Sequence, residues 1–467
     1  MINVITKIRY ICIFAKKKRK NMRAKTNHRK FTAELKSEIA LFIKVIVLLS
    51  LCFYNVTGVA QTTYDTYFTD KRLRIDFALS GNEQFQSAGL MQIREEPVWS
   101  GPRLNLIDAF DYGGYTLEVF DKATKTLIYS YGFNTLFEEW RTTEQAKTET
   151  QTWTNSVTTP FPKNTITTVL LGRNRATNLK DTLMVLDIEP SSIFIDRGKL
   201  KDNPTVDIQL KGEPAEKVDL VFLAEGYTAT EKDKFVNDAK RFTNSLFATP
   251  PFDQCRDDFN VRAVFLESEE QGTDFSGKGV FRHTALNSGY YTFGLDRYLT
   301  TPDMRSIRDA VWDTPCDAIF IIVNSEVYGG GGMYNFYAIG TADNARTLQV
   351  FAHEFGHSFA GLADEYFSSE VAYNDFYNLK FETWEPNITT LVDFDKKWKD
   401  MLPAGTPIPT PLETPYSDQL GVFEGGGYLS KGIYRPMDNC MMRNITPFCP
   451  VCSRSILRMV DYWTDRE

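Results

Sequence analysis

At 467 residues the chain is too long for one ordinary hydrophobic core, so length alone implies more than one domain. A composition of 42% hydrophobic, 24% charged and 13% aromatic residues is that of a folded protein and excludes a disordered or low-complexity chain. The formal charge is −7 although the first 36 residues are strongly basic, so the remainder is more acidic still and lacks the basic footprint that a nucleic-acid partner requires.

Lys16-Lys17-Lys18-Arg19-Lys20 and further basic residues precede an apolar run over 39–53, followed by Gly58-Val59-Ala60-Gln61. Basic, apolar and small residues in that order read as a signal peptide over 1–60, cleaved after Ala60, and imply export to the periplasm, the cell surface or the medium. The run falls short of the roughly 20 apolar residues of a membrane span, so no stable span is expected after cleavage. Cys255, Cys316, Cys440, Cys449 and Cys452 would remain, an odd count whose pairing the sequence leaves open. Cys449-Pro450-Val451-Cys452 has redox-motif spacing, but no thioredoxin-like βαβ pattern surrounds it, and a structural disulfide or buried thiols are expected instead.

Strand signals fill 61–198. Leu73, Ile75, Phe77 and Leu79 alternate with polar residues, as a strand with one buried face requires. Residues 115–120 and 126–131 flank a turn and read as a hairpin; 165–171 and 182–188 supply two more strands. No convincing helix intervenes, and an all-β sandwich is expected. Residues 142–157 are rich in Thr, Gln and Glu and read as an exposed strand or loop. Trp140 and Trp153, if exposed, would suit a module that binds a glycan or a host protein, a second reading of the chain beside the enzymatic one.

The pattern changes at 199–204, read as a linker into a domain over 199–467. Residues 218–223, 261–266 and 318–323 are apolar strands. Thr230 with Asp233 marks a helix start, and Phe235, Ala239, Phe242 and Leu246 follow at helical spacing. A helix over 302–312 and a last amphipathic segment over 453–463 complete an α/β pattern.

The chemistry gathers at His353-Glu354-Phe355-Gly356-His357. Two His four apart share one helix face and can hold one metal ion, with Glu354 beside the ion as general base. Leu348, Phe351, Phe355 and Phe359 fall on the opposite side and would pack into the core. Neutral imidazoles suit Zn²⁺, and a catalytic zinc needs a third protein ligand plus an open position. Gly361 can end the helix in the left-handed conformation, and Asp364 three residues on can return to the metal, with Glu365 as its competitor. Tyr366, Tyr428 and Tyr434 are candidates to steady the reacting carbonyl. His283 reads as structural, with a substrate contact as its alternative. The run of glycines over 329–332 is followed by no Lys-Ser or Lys-Thr, so it reads as a flexible cleft rim rather than a phosphate loop.

The Gly-to-ligand spacing resembles that of metzincin peptidases, with two departures: the Gly lies one residue further from His357, and Asp replaces His. That resemblance implies a Met-turn beneath the metal, for which Met442 is the candidate, and an edge strand near 334–339 that pairs with extended substrate. With Glu225-Gly226-Tyr227, Trp384-Glu385-Pro386-Asn387 and Gly432-Ile433-Tyr434-Arg435-Pro436, the chain looks like the IgA peptidase family of bacterial metallopeptidases over 200–467, and its β part like that family's N-terminal module. The resemblance implies a zinc metalloendopeptidase acting on a peptide or protein substrate. A zinc amidase acting on cell-wall peptides is the enzymatic alternative.

Overall fold

Alternating apolar residues, as in Leu73, Ile75, Phe77 and Leu79, all fully buried, build the N-terminal part into two four-stranded sheets. The computed structural model describes residues 63–367, 376–413, 415–444 and 446–466; the expected signal peptide lies outside them. In chain order the strands are β1 (Phe68–Gly81), β2 (Gln86–Glu96), β3 (Tyr115–Asp121), β4 (Leu127–Phe133), β5 (Gln151–Pro162), β6 (Ile166–Arg173), β7 (Lys180–Ile188) and β8 (Ile195–Asp196). One sheet runs β5-β1-β2-β8 and the other β4-β3-β6-β7. Their inner faces meet where the Phe77 ring stands edge-on to Phe133, with centroids 6.5 Å apart.

Two expectations for this part give way. Residues 142–157 are exposed only in part: Glu144, Gln145, 147–150 and Thr152 face solvent, but β5 pairs with β1 from Gln151 on, and Thr142, Thr143, Asn155 and Ser156 are buried. Ladder hydrogen bonds satisfy the backbone there, so polar side chains do not force exposure. A short helix, α1 (Leu136–Trp140), also forms, started by the Thr135 side chain accepting from the Glu138 N–H; five residues are too few to leave a periodic signature.

The C-terminal part is mixed α/β. Its strands are β9 (Thr205–Gln209), β10 (Val218–Glu225), β11 (Phe259–Val264), β12 (Asp274–Phe275), β13 (Gly289–Tyr290), β14 (Ala318–Val323), β15 (Gly330–Met333), β16 (Tyr337–Thr341), β17 (Phe423–Gly426) and β18 (Leu429–Arg435). Six form one sheet in the order β15-β16-β14-β10-β11-β9, parallel except at its two outer strands. β10 is buried along its entire length, which is why 220–224 read as an unbroken apolar run, and its acidic residues Asp219 and Glu225 are buried as well.

The longer helices are α2 (Lys232–Leu246), α3 (Met304–Ala310), α4 (Thr347–Ala360) and α5 (Pro450–Trp463), with a single helical turn at Met441–Asn444. The capping box before α2 is Thr228 with Glu231, two residues earlier than expected: Glu231 Oε2 accepts from the Thr228 N–H at 2.9 Å and from its hydroxyl at 2.8 Å. Helix α4 lies on the sheet through Phe351, whose ring is edge-on to Phe320 at 4.6 Å and 5.0 Å from Phe242 of α2. Phe355 and Phe359 stack at 5.1 Å on the same buried side, which leaves the polar residues of α4 facing away from the core.

The two parts are stitched together by buried charge and backbone bonds. The Arg72 guanidinium donates to Val311 O (2.7 Å) and Trp312 O (3.0 Å), and Arg74 pairs with Asp309. The Asn134 N–H donates to Tyr334 O at 2.8 Å, so the end of β4 is tied to the chain between β15 and β16.

Candidate active site

Four-residue spacing on α4 brings the His353 and His357 rings edge to face with centroids 4.8 Å apart. Each ring is oriented from behind. His353 Nδ1 donates to Met441 O at 2.9 Å and His357 Nδ1 to Leu362 O at 2.5 Å. A carbonyl oxygen only accepts, so each Nδ1 carries the hydrogen and each Nε2 of a neutral ring presents a lone pair. Those two Nε2 atoms face one another at 3.1 Å.

The chain leaves α4 through Gly361, whose φ of 64° is the left-handed cap that glycine adopts without strain; its N–H donates to His357 O at 3.1 Å. Long-range bonds hold the loop that follows. Asn387 Oδ1 accepts from the Ala363 N–H (2.7 Å), and its amide donates to Ala363 O (2.9 Å) and Glu365 Oε1 (2.9 Å). The Glu365 N–H donates to Met442 O at 2.8 Å, and the Gly427 N–H to Asp364 O at 2.9 Å. So clamped, Asp364 turns its carboxylate back to the histidines. Its Oδ1 lies 3.1 Å from His353 Nε2 and 3.4 Å from His357 Nε2, while Tyr428 donates to Oδ2 at 2.6 Å.

Three donors at these separations match a tetrahedral ion: ligand atoms each about 2.1 Å from zinc stand about 3.4 Å apart. Asp364 Oδ1 is buried and has no hydrogen-bond partner, as an atom reserved for a cation would. The electrostatics agree. Burial opposes charge on His357, yet the Asp364 carboxylate outweighs it and pushes the imidazole up to about 9. Burial likewise disfavours an ionised Asp364, but the two histidines hold its carboxyl well below the usual range. These shifts show that positive charge between the three side chains is stabilised, and their chemistry fits Zn²⁺.

Glu354 also offers an oxygen near the histidines, within 4.8 Å of the donor atoms of His353 and His357. Burial raises its carboxyl, partly offset by the neighbouring imidazoles. Glu365 does not compete for this centre. It is fully buried, with Oε1 turned to Asn387 and to Cys452 Sγ.

The glycines before α4 are not a flexible rim. Gly330–Met333 is the outermost strand of the sheet, antiparallel to β16, and runs closely over α4. A Cβ on Gly332 would stand 2.3 Å from Glu354 O, and one on Gly330 2.8 Å from Glu354 Oε1. Absence of side chains, not flexibility, is what these positions require. The edge strand is therefore β15, one strand before the expected 334–339 segment, whose second half, 337–339, belongs to β16 inside the sheet.

Met442 is fully buried beneath α4, and a Cβ on Gly356 would stand 3.1 Å from its sulfur, which accounts for glycine inside the motif. The cleft above the histidines encloses about 390 Å³. Tyr366 and Tyr428 line it, with rings 5.7 Å apart; Tyr434 lies outside it, paired through backbone bonds with Thr389. His283 is exposed, its N–H donating to Glu270, and takes no part in the cleft. Trp140 is core, stacked on Phe137, and Trp153 is half-buried against Phe293; neither is the fully exposed aromatic expected, and both border a cavity apart from the cleft.

Asn134 and Glu139 of the N-terminal part and Arg297 and Tyr328 of the C-terminal part also line the cleft. None of the four stands in a motif, and only the tertiary fold brings them there. The Cys449–Cys452 pair opens α5 with both thiols buried, so no substrate disulfide reaches it. Among the described residues no helix is long and apolar enough to cross a membrane.

No curated protein matches the chain. A family model described as IgA Peptidase M64 matches residues 206–415 and 412–460, and one described as Peptidase M64 N-terminus matches 63–184. The chain therefore belongs to the IgA peptidase M64 family, as its motifs imply, and is a peptidase with peptide or protein substrates.

Proposed function

We propose that this peptidase is a zinc-dependent endopeptidase in which His353, His357 and Asp364 hold the ion and Glu354 is the general base. The convergence of two bare Nε2 atoms and the orphaned Asp364 Oδ1 carries the reading. When bound, zinc supplies Lewis acidity that makes water a nucleophile near neutral pH and polarises the scissile carbonyl. Glu354 takes the proton from water and delivers it to the leaving amine, a role worth about 10²–10⁴-fold. Tyr428 steadies Asp364 from its second oxygen, and Tyr366, which lines the cleft beside it, is assigned to steady the reacting carbonyl. The main chain of β15 beyond Gly330, whose carbonyl already accepts from the Leu299 N–H, receives an extended substrate along the cleft. The Gly361 cap and Met442 beneath α4 favour a metzincin-like arrangement.

Glu354→Gln tests the assignment. Zinc content should be unchanged while turnover of a peptide library falls by about 10²–10⁴-fold; retained turnover would sink the general-base role. Cleavage-site profiling of that library by mass spectrometry, with and without chelator, defines the substrate. We also propose export, on the basic, apolar and small-residue order of 1–60. N-terminal sequencing of the exported protein should begin at Gln61, and an intact leader on the mature protein would reject it.

A further inference from the structure

Behind the catalytic loop lies a second set of donors. Cys440 precedes the turn Met441–Asn444, Cys449 is the N-cap of α5, Cys452 sits in its first turn, and Glu365 follows Asp364. Their four ligand atoms all lie within 4.8 Å of one another, and all four residues are buried. Cys440 Sγ is 3.6 Å from Cys452 Sγ, and Cys452 Sγ is 3.2 Å from Glu365 Oε1. Sulfurs each about 2.3 Å from a tetrahedral zinc stand about 3.8 Å apart, close to the first distance, whereas a disulfide would bring them to about 2.05 Å.

The chemistry points the same way. Three clustered thiols cannot all pair as disulfides. Backbone N–H groups point at two of the sulfurs, Cys449 N–H at Cys440 Sγ (3.4 Å) and Cys452 N–H at Cys449 Sγ (3.5 Å), which suits thiolates. Glu365 Oε2 is buried with no hydrogen-bond partner, a costly arrangement for a carboxyl group unless a cation lies beside it.

We propose that Cys440, Cys449, Cys452 and Glu365 hold a second zinc ion in a closed, four-ligand structural site. Four protein ligands leave no position for water or substrate, so this ion takes no part in chemistry. Its place in the chain gives it a mechanical role. Glu365 adjoins Asp364, Cys440 adjoins Met441, whose carbonyl orients His353, and the Met442 carbonyl accepts from the Glu365 N–H. The second ion thus anchors, from behind, the loop and the turn that shape the first centre. The inference does not depend on the catalytic reading, because it rests on a separate set of donors.

Elemental analysis of the purified full chain should find about two equivalents of zinc, and His357→Ala should keep one. Exchange with cobalt separates the sites. Thiolate-to-cobalt charge-transfer absorption should appear in the parent protein and in His357→Ala and be missing from Cys452→Ser, since the histidine centre has no sulfur. If Cys452→Ser does not fold, the parent protein still decides. Titration with an organomercurial should release one equivalent of zinc as three thiols react. A metal-free His357→Ala protein, no thiolate band, or a 2 Da mass deficit that maps to a Cys440–Cys452 disulfide would each overturn the proposal.

Discussion

Helix α4 and the loop after it supply donors to the same centre, yet opposite kinds of force position them. The two histidines owe their shared face to helical periodicity and to a buried ridge of Phe351, Phe355 and Phe359, with Met441 O bracing only the ring of His353 from afar, so their relation is mainly local and already present in the sequence. Asp364 owes its position to Asn387, Met442, Gly427 and Tyr428, which lie 23 to 78 residues away in the chain. A donor held by local geometry should respond mainly to its own replacement. A donor held by distant hydrogen bonds should respond to substitutions that never touch the metal.

The largest effect expected is at the helix. On the proposed assignment, His357→Ala should remove the metal of this centre and leave peptide turnover at background, measured by metal analysis together with kcat/KM. If zinc stays in the cleft at full affinity, the helix is not the primary holder and the contrast fails. On the loop, Tyr428→Phe leaves Asp364 intact but removes the bond to Oδ2, and should weaken zinc affinity or activity by about 10–100-fold, the usual cost of losing a ligand's supporting partner. Competition with a graded chelator series would measure it. An unchanged affinity would mean that Asp364 is held well enough by its backbone bonds alone.

Asn387→Ala probes the same loop from further away. It strands the buried N–H and C=O of Ala363, each costing roughly 1–3 kcal/mol, so thermal stability should fall and zinc affinity with it, although residue 387 is not a ligand. A loss of stability with no change in zinc affinity would separate the clamp from the metal site and break the comparison.

The same division explains what could be read in advance. Strands such as β14 and the helix of the HEFGH motif carry their signals within a few residues, and the chain pattern finds them. Asp364 was reachable because Gly361 announces the end of the helix. Arg297, Tyr328, Asn134 and Glu139 were not, because each reaches the cleft through pairing between segments far apart in sequence. The cysteines were visible as residues but not as a cluster, since Glu365, the fourth member, is 75 residues before Cys440. The capping box at Thr228 is ambiguous in the sequence for a subtler reason. A second Thr-to-acid pair at Thr230 and Asp233 has the same spacing, and only the 3₁₀ turn Ala229–Glu231 before α2 distinguishes them.

The glycine strand is the finest test of the comparison, because it joins a local signal to a tertiary cause. Gly330, Gly331 and Gly332 are conspicuous in the sequence, but their purpose shows only against α4. A methyl at Gly332 would lie 2.3 Å from Glu354 O, a backbone atom that cannot rotate away, so Gly332→Ala must push β15 off the helix. The expected cost is about 1–3 kcal/mol, with a lower kcat/KM, since the strand forms the wall of the cleft beside Glu354. Gly89→Ala is the matched control. Position 89 has open space where a Cβ would go, so stability there should hold or rise by about 0.4–1 kcal/mol. If both substitutions proved equally harmless in thermal melts, the glycines over α4 would be loop filler after all; if only Gly332→Ala is costly, close approach is what the run of glycines encodes.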